Sequence, residues 1–449
     1  MNRKNNTRSV NMLEGSLWGK ILIVALPFAF TGIMQQLFNA ADIAMLGQFV
    51  GKEAMAAVGS NSPIIGMVLS LFIGISLGAN VIIARFIGKK NIHGVHAAVH
   101  TAILVALGCG VVMAVAGELL VEPLLRLLSV PEEIFDLAVL YLRVFWLAMP
   151  FILLYNFESS IFRSQGDTRT PLYCLIASGI TKFFLNLFFI LVLDMSVEGV
   201  AIGTIIATAL SSAMLFYFLC RSQTEIRVRL TEFHVDKRIL LPMLRIGLPA
   251  GMQGMVFALS NLCIQSAINE LGPDVMAASA AAFNLEIFTF FLINAFGQVC
   301  TTFVSQNYGA RNIRRCKQAM KWCLFQDLLL TACICALLIL FGVPLLHIFS
   351  DDSTVVALGF IRLKYVAGLE FINAVIEVLS GAMRGYGSSL IPALITLFGI
   401  CGTRVTWVYT VFAWEPDFAT LMMVFPVSWA VTAAILCVAY AWFIKQLKA

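Results

Sequence analysis

The chain has 449 residues, 60% of them hydrophobic and 12% charged, with a net charge of +5 and a mean hydropathy of +0.90. A soluble domain carries about 25% charged residues, so too little polar surface exists here to coat a soluble particle, and a polytopic membrane protein is the class that fits. The charges sit in loops between apolar runs, without aromatic–basic interleaving or a basic domain, which argues against nucleic acid as a partner.

Met1 to Lys20 is polar and basic. The apolar stretch behind it is too long for a signal-peptide core and has no clear cleavage site, so it reads as a retained first span. At about 20 apolar residues per crossing, twelve spans follow: 21–46, 54–83, 97–117, 137–162, 171–193 and 199–219, then 240–268, 275–304, 322–346, 355–383, 390–413 and 418–443. All are predicted helices, because unpaired backbone cannot face lipid.

Basic residues set the orientation. Lys and Arg fill the N-terminus (Arg3, Lys4, Arg8) and alternate loops (Lys89, Lys90; Arg163, Arg169; Arg221 to Arg245; Arg311 to Lys321; Arg384; Lys445, Lys448). The opposite loops are acidic, as at Glu132 and Glu133, Asp194, Asp274, Asp351 and Asp352, and Glu415. The alternation never breaks, which predicts that both termini are cytoplasmic.

The sequence is also written twice. Gly88-Lys89-Lys90-Asn91-Ile92 returns 221 residues later as Gly309-Ala310-Arg311-Asn312-Ile313, Ser129 returns as Ser350, and Arg163-Ser164-Gln165-Gly166 returns as Arg384-Gly385-Tyr386-Gly387. Pro27 returns as Pro249, an offset of 222. Six spans per half is an even number, so the repeat is parallel. The expected division is an N-terminal lobe (1–220), a basic cytoplasmic linker (221–239) and a C-terminal lobe (240–449). A duplicated membrane protein places its working site at the repeat interface, which is a transporter's layout.

Buried charge marks where such a site would be, since each intramembrane charge costs about 2.5–3.5 kcal/mol on insertion scales. Gln35, Asn39 and Asp42 fall at i, i+4 and i+7 on the first helix and form one polar stripe facing an interior cavity. Asn39 has a counterpart in Asn261, but Asp42 falls on Ile264. A protonatable or cation-binding site therefore belongs in the first half.

The other candidates for a substrate cavity are Lys182, Glu286, Glu370, Glu377, Asn261 and Arg404. By helix rise, Arg404 and Glu370 both lie roughly 20 Å from the inner surface. They are expected to pair, either structurally or as substrate groups. Lys182 has no partner at matching depth and either lines the cavity or sits as a neutral amine. Asp327 and Glu158 fall near inner span ends and read as interfacial, as do His96 and His100. Pro27 and Pro249 remove a backbone hydrogen bond inside the first helix of each half and are hinge candidates.

The eleven cysteines include none in an outward loop, so no disulfide framework is implied. There is no G-x-x-x-x-G-K-[ST], catalytic triad or zinc spacing. No enzyme and no cofactor are expected.

Several motifs together resemble the multidrug and toxic compound extrusion (MATE) family. They are Leu26-Pro27, Asp42 to Gly47 followed by Ala54 to Gly59, Ser305-Gln306-Asn307-Tyr308-Gly309-Ala310, the two Arg-containing span ends above, and Gly199-Val200-Ala201-Ile202-Gly203-Thr204. The set covers nearly the whole chain in order. The resemblance implies a V-shaped pair of six-helix bundles around a central cavity, working as a monomer in the plasma (inner) membrane. It implies export of cationic or amphipathic organic compounds driven by inward H⁺ or Na⁺. Asp42 matches the coupling acid of the first helix, where a Na⁺ would bind, and Asn186 an Asn of the fifth helix at the same site. Ile190, Phe257 and Asn373 stand where related sequences carry acids.

The expected mechanism is competition at Asp42 between a cationic substrate and H⁺ or Na⁺, with Gln35, Asn39 and Asn186 as its polar surround. The alternative is a lipid-linked oligosaccharide flippase, which calls for more cavity cations than Lys182 and Arg404. A major-facilitator carrier lacks its basic signature at Arg85 to Asn91.

Overall fold

The computed structural model describes residues 9–128 and 130–447. Ser129, Arg3, Lys4, Arg8 and Lys448 lie outside them, as does the predicted side of the two termini. Among the described residues every regular element is helical. By internal contacts the chain forms two units. One contains Phe30–Gly247, and the other contains Met12–Ala29 with Leu248 onward.

The first unit runs through α1 (Leu17–Phe49), α2 (Lys52–Gly88), α3 (Ile92–Leu127), α4 (Glu132–Leu147), α5 (Met149–Ser164), α6 (Arg169–Leu191) and α7 (Val197–Arg221) to the start of α8 (Lys237–Glu270). The second continues through α9 (Pro273–Gly309), α10 (Ile313–Leu340), α11 (Gly342–Leu346), α12 (Ser353–Tyr365), α13 (Phe371–Tyr386), α14 (Leu390–Thr396), α15 (Thr403–Trp407), α16 (Phe418–Met422) and α17 (Val424–Gln446). The unit boundaries fall inside α1 and α8, two residues from Pro27 and Pro249.

Among the described residues ten continuous helical stretches are long and apolar enough to cross a membrane, and α4 with α5, bent by 49°, makes an eleventh. The bend has a local cause. Pro150 enters the first turn of α5, where it has no amide hydrogen to give back to α4. The tenth predicted span, 355–383, is not one helix. It breaks between α12 and α13 at a 3₁₀ turn over Ala367–Leu369.

The repeat is visible in the backbone. Lys90 and Arg311 are both left-handed (φ 56° and 59°), as are the glycines Gly51 and Gly272, and Gly166 and Gly387. Asn91 and Asn312 cap the next helix alike, accepting hydrogen bonds from the amides of Gly94 and Arg315. Asn80 donates to the Ser160 carbonyl, and its equivalent Thr301 donates to that of Gly381 (3.2 and 3.0 Å). These bonds tie the second helix of each half to the end of its fourth span.

The eleventh span interrupts the symmetry. It is wound as π-helix at Leu397–Gly402 and again at Val408–Phe412. A π-turn absorbs an extra residue into a helix. The offset between halves accordingly grows from 221 at Gly166 and Gly387 to 222 beyond the first π-turn, which makes Arg404 the counterpart of Lys182.

Both units are held by close helix packing. A β-carbon on Gly247 of α8 would lie 2.6 Å from the Ile75 Cα of α2. The linker docks on the first unit: the Arg229 amide donates to His100 Nε2, the Asp236 amide to Thr101 Oγ1 (both 3.1 Å), and Phe233 packs against His100. His100 is thus buried rather than interfacial.

Candidate functional site

In the first unit, three polar side chains meet inside the apolar packing. Asp42 of α1 is 6% exposed, Lys182 of α6 is 9% and Asn186 of α6 is fully buried. Lys182 and Asn186 are one turn apart, so α6 presents both to the same carboxylate. Lys182 Nζ forms an ion pair with Asp42 Oδ2, and Asn186 Nδ2 donates to Oδ1 at 2.8 Å. Gly203 of α7 lets this happen. A β-carbon there would collide with the Asn186 amide oxygen.

Lys182 therefore has a partner after all. The depth count failed because α1 has 33 residues. At about 1.5 Å per residue it is longer than the roughly 30 Å hydrocarbon core, so distance from its start does not measure depth, and a long lysine stem spans the remainder. Gln35 and Asn39 do not join the site. Both are exposed while Asp42 turns inward.

The second unit holds its charges differently. Arg362 of α12, which the sequence reading passed over, grips Glu286 of α9 through Nη2 and Nε and donates to Ser279 Oγ (2.6 Å). The signal was available: Arg362 lies within the tenth predicted span. Glu377 lies 3.8 Å from Arg384, which donates to Gln253 (2.9 Å), and Gln253 donates to Thr396 (3.2 Å). Asp327 and Glu158 are fully buried, not interfacial.

The expected pair of Glu370 and Arg404 does not form. Glu370 Oε2 has no hydrogen-bond partner. Arg404 Nη1 donates to Asn261 Oδ1 at 2.7 Å, and its guanidinium carbon lies over the rings of Phe257 and Phe425, 5.0 and 4.5 Å from their centroids. Shared depth was a poor predictor because it does not fix which helix face a side chain occupies, and Arg404 faces Asn261 of α8.

The MatE family model matches this chain twice, over residues 27–188 and 249–410, two segments of equal length offset by 222. The chain belongs to the MatE family. It is 27% identical over 401 residues to the probable multidrug resistance protein YoeA of Bacillus subtilis, covering 87% of this chain and 86% of that one. It is 26% identical over 348 residues to the FAD transporter of Shewanella oneidensis, covering 75% of each. Among solved structures, an outward-facing MATE transporter of the MOP superfamily superimposes with a TM-score of 0.91 over 99% of this chain and 100% of that one, at 22% identity.

The protein is thus a multi-pass membrane transporter with the twelve-helix MATE fold, from a family whose members handle small organic compounds and are not enzymes. Three of the motifs read from the sequence sit at helix ends: Arg163 and Arg384 close the fourth and tenth spans, and the Ser305 to Ala310 run closes α9, whereas Leu26-Pro27 and Asp42 to Gly47 lie inside α1.

Proposed function

We propose that this protein exports cationic or amphipathic organic compounds in exchange for protons, with Asp42 as the coupling group. The observation that carries the reading is the buried Asp42–Lys182–Asn186 constellation. An ionised carboxylate in an apolar interior attracts whatever cation can reach it. Lys182 is the resident cation. An organic cation binds by displacing it, and a proton arriving from outside neutralises Asp42, which releases either one.

Protons suit the site better than Na⁺. Both Asp42 oxygens already receive N–H donors, and one donor is an ammonium. Na⁺ needs several oxygen ligands and would sit against a positive charge, whereas a proton needs one lone pair. Both termini in the cytoplasm and no cofactor complete the reading. For a monovalent cation leaving as one proton enters, the charge movements cancel, so the pH gradient drives export, worth about 1.4 kcal/mol or a tenfold concentration per pH unit.

The test is export of a fluorescent organic cation from liposomes under separately imposed pH and Na⁺ gradients. Drive by the pH gradient alone is expected, and its loss in Asp42→Asn. Drive by Na⁺ that survives the substitution would remove both Asp42 and protons from the mechanism.

A further inference from the structure

Arg404 is a fully buried guanidinium with no salt-bridge partner among the described residues. Its guanidinium carbon lies over the rings of Phe257 and Phe425, and one end is held by Asn261. The two oxygens of the buried Glu286 are taken by Arg362. What remains is the Nε–Nη2 edge, and neither nitrogen has a hydrogen-bond partner. That edge is a planar fork of two parallel N–H donors, the arrangement that takes a carboxylate or phosphate bidentately. A buried charge left unpaired is costly, and the two rings compensate it only across its faces.

The first unit sharpens the contrast. There the equivalent cation, Lys182, is neutralised by Asp42. Here the residue equivalent to Asp42 is Ile264, buried and apolar, so the lobe has kept the cation and lost the acid. On the two helices that carry Asn261 and Arg404 lies a cavity of about 420 Å³, between α8 and the eleventh span, lined by Val256, Cys263 and Glu270 on one side and Cys401, Val405 and Val408 on the other. These wall residues flank Phe257, Asn261 and Arg404 in sequence on the same two helices. Apart from Glu270 the cavity is mainly apolar, and Arg404 lies buried behind its wall, so it suits the body of an amphipath whose anionic head passes through that wall to the fork.

We infer that Arg404, oriented by Asn261 and clamped by Phe257 and Phe425, is an oxyanion subsite in the second unit for the single carboxylate or phosphate of an amphipathic molecule. The subsite is independent of the coupling assigned to Asp42. It would let one transporter accept zwitterionic and anionic compounds as well as cations. The oxyanion can come from a soluble carboxylate or from a lipid headgroup.

The experiment is calorimetric titration of the purified protein in a non-ionic detergent with 2-naphthoate, and with 2-naphthalenemethanol as its neutral isostere. Wild type is expected to prefer the carboxylate by about tenfold or more, the worth of a charge-assisted pair. Arg404→Gln should abolish that preference. Arg404→Lys, which keeps the charge but loses the fork, should retain part of it and guards against a folding artefact in the first variant. Arg143→Gln, at a half-exposed cation of the first unit, should leave it unchanged. Competition by dioleoyl phosphatidate but not by excess benzoate assigns the subsite to a lipid headgroup, and the reverse order assigns it to soluble carboxylates. No preference in wild type, or a preference that persists in Arg404→Gln, overturns the proposal.

Discussion

A carboxylate and an ammonium can share an apolar interior only while each satisfies the other. Asp42 and Lys182 do so with one further donor, Asn186, and that pairing makes the site responsive to a third charge. Lys182→Met removes the internal competitor and keeps most of the stem. The affinity for an organic cation should then rise by about tenfold, or roughly 1.4 kcal/mol, read by fluorescence anisotropy, while thermal stability falls because Asp42 is left unpaired. Weaker binding would mean that Lys182 assists the substrate and does not compete with it. Asp42 was legible in the sequence because an acid in an apolar helix stands out. Its partner was not, since pairing depends on helix tilt and on how far a lysine reaches. Arg362 is hidden for a related reason: it stands inside an apolar run, and its partner Glu286 is 76 residues away in the sequence.

Two prolines mark where α1 and α8 pass from one unit's packing to the other's. Proline inside a helix removes one hydrogen bond and clashes with the preceding turn, at a cost of about 3 kcal/mol, so each is a weak point in an otherwise continuous rod. Pro27→Ala should raise the melting temperature and slow the initial rate of export several-fold, with substrate affinity little changed. Export at the wild-type rate would show that α1 need not flex there. Periodic apolar runs located every span, but not the internal break of the tenth, where Val366 to Glu370 lie between α12 and α13. Nothing in that stretch is a helix breaker other than Gly368. The π-turns of the eleventh span left a single trace in the sequence, the one-residue change in repeat offset, and only the backbone gives that offset a physical meaning.

At the scale of the whole molecule, the duplication and the alternation of basic and acidic loops carry the topology. The repeat was the easiest feature to read, because left-handed turns at Lys90 and Arg311 and the Asn caps that follow impose the same local sequence twice. Orientation can be checked directly. Single cysteines introduced at Glu132 and Asp351 should react with an impermeant maleimide added to intact cells, whereas those at Lys90 and Arg311 should react only after permeabilisation. The opposite pattern would invert the direction of transport.

Coupling through Asp42 requires that a cationic substrate and a proton exclude each other from one carboxylate. Proton release on binding measures that exclusion without a membrane. Adding a saturating organic cation to the purified protein in weakly buffered detergent should release up to about one proton per bound cation, with none released by Asp42→Asn, which should still fold. Release that is undiminished in the variant, or absent in the wild type across the pH range in which the protein transports, would contradict the account.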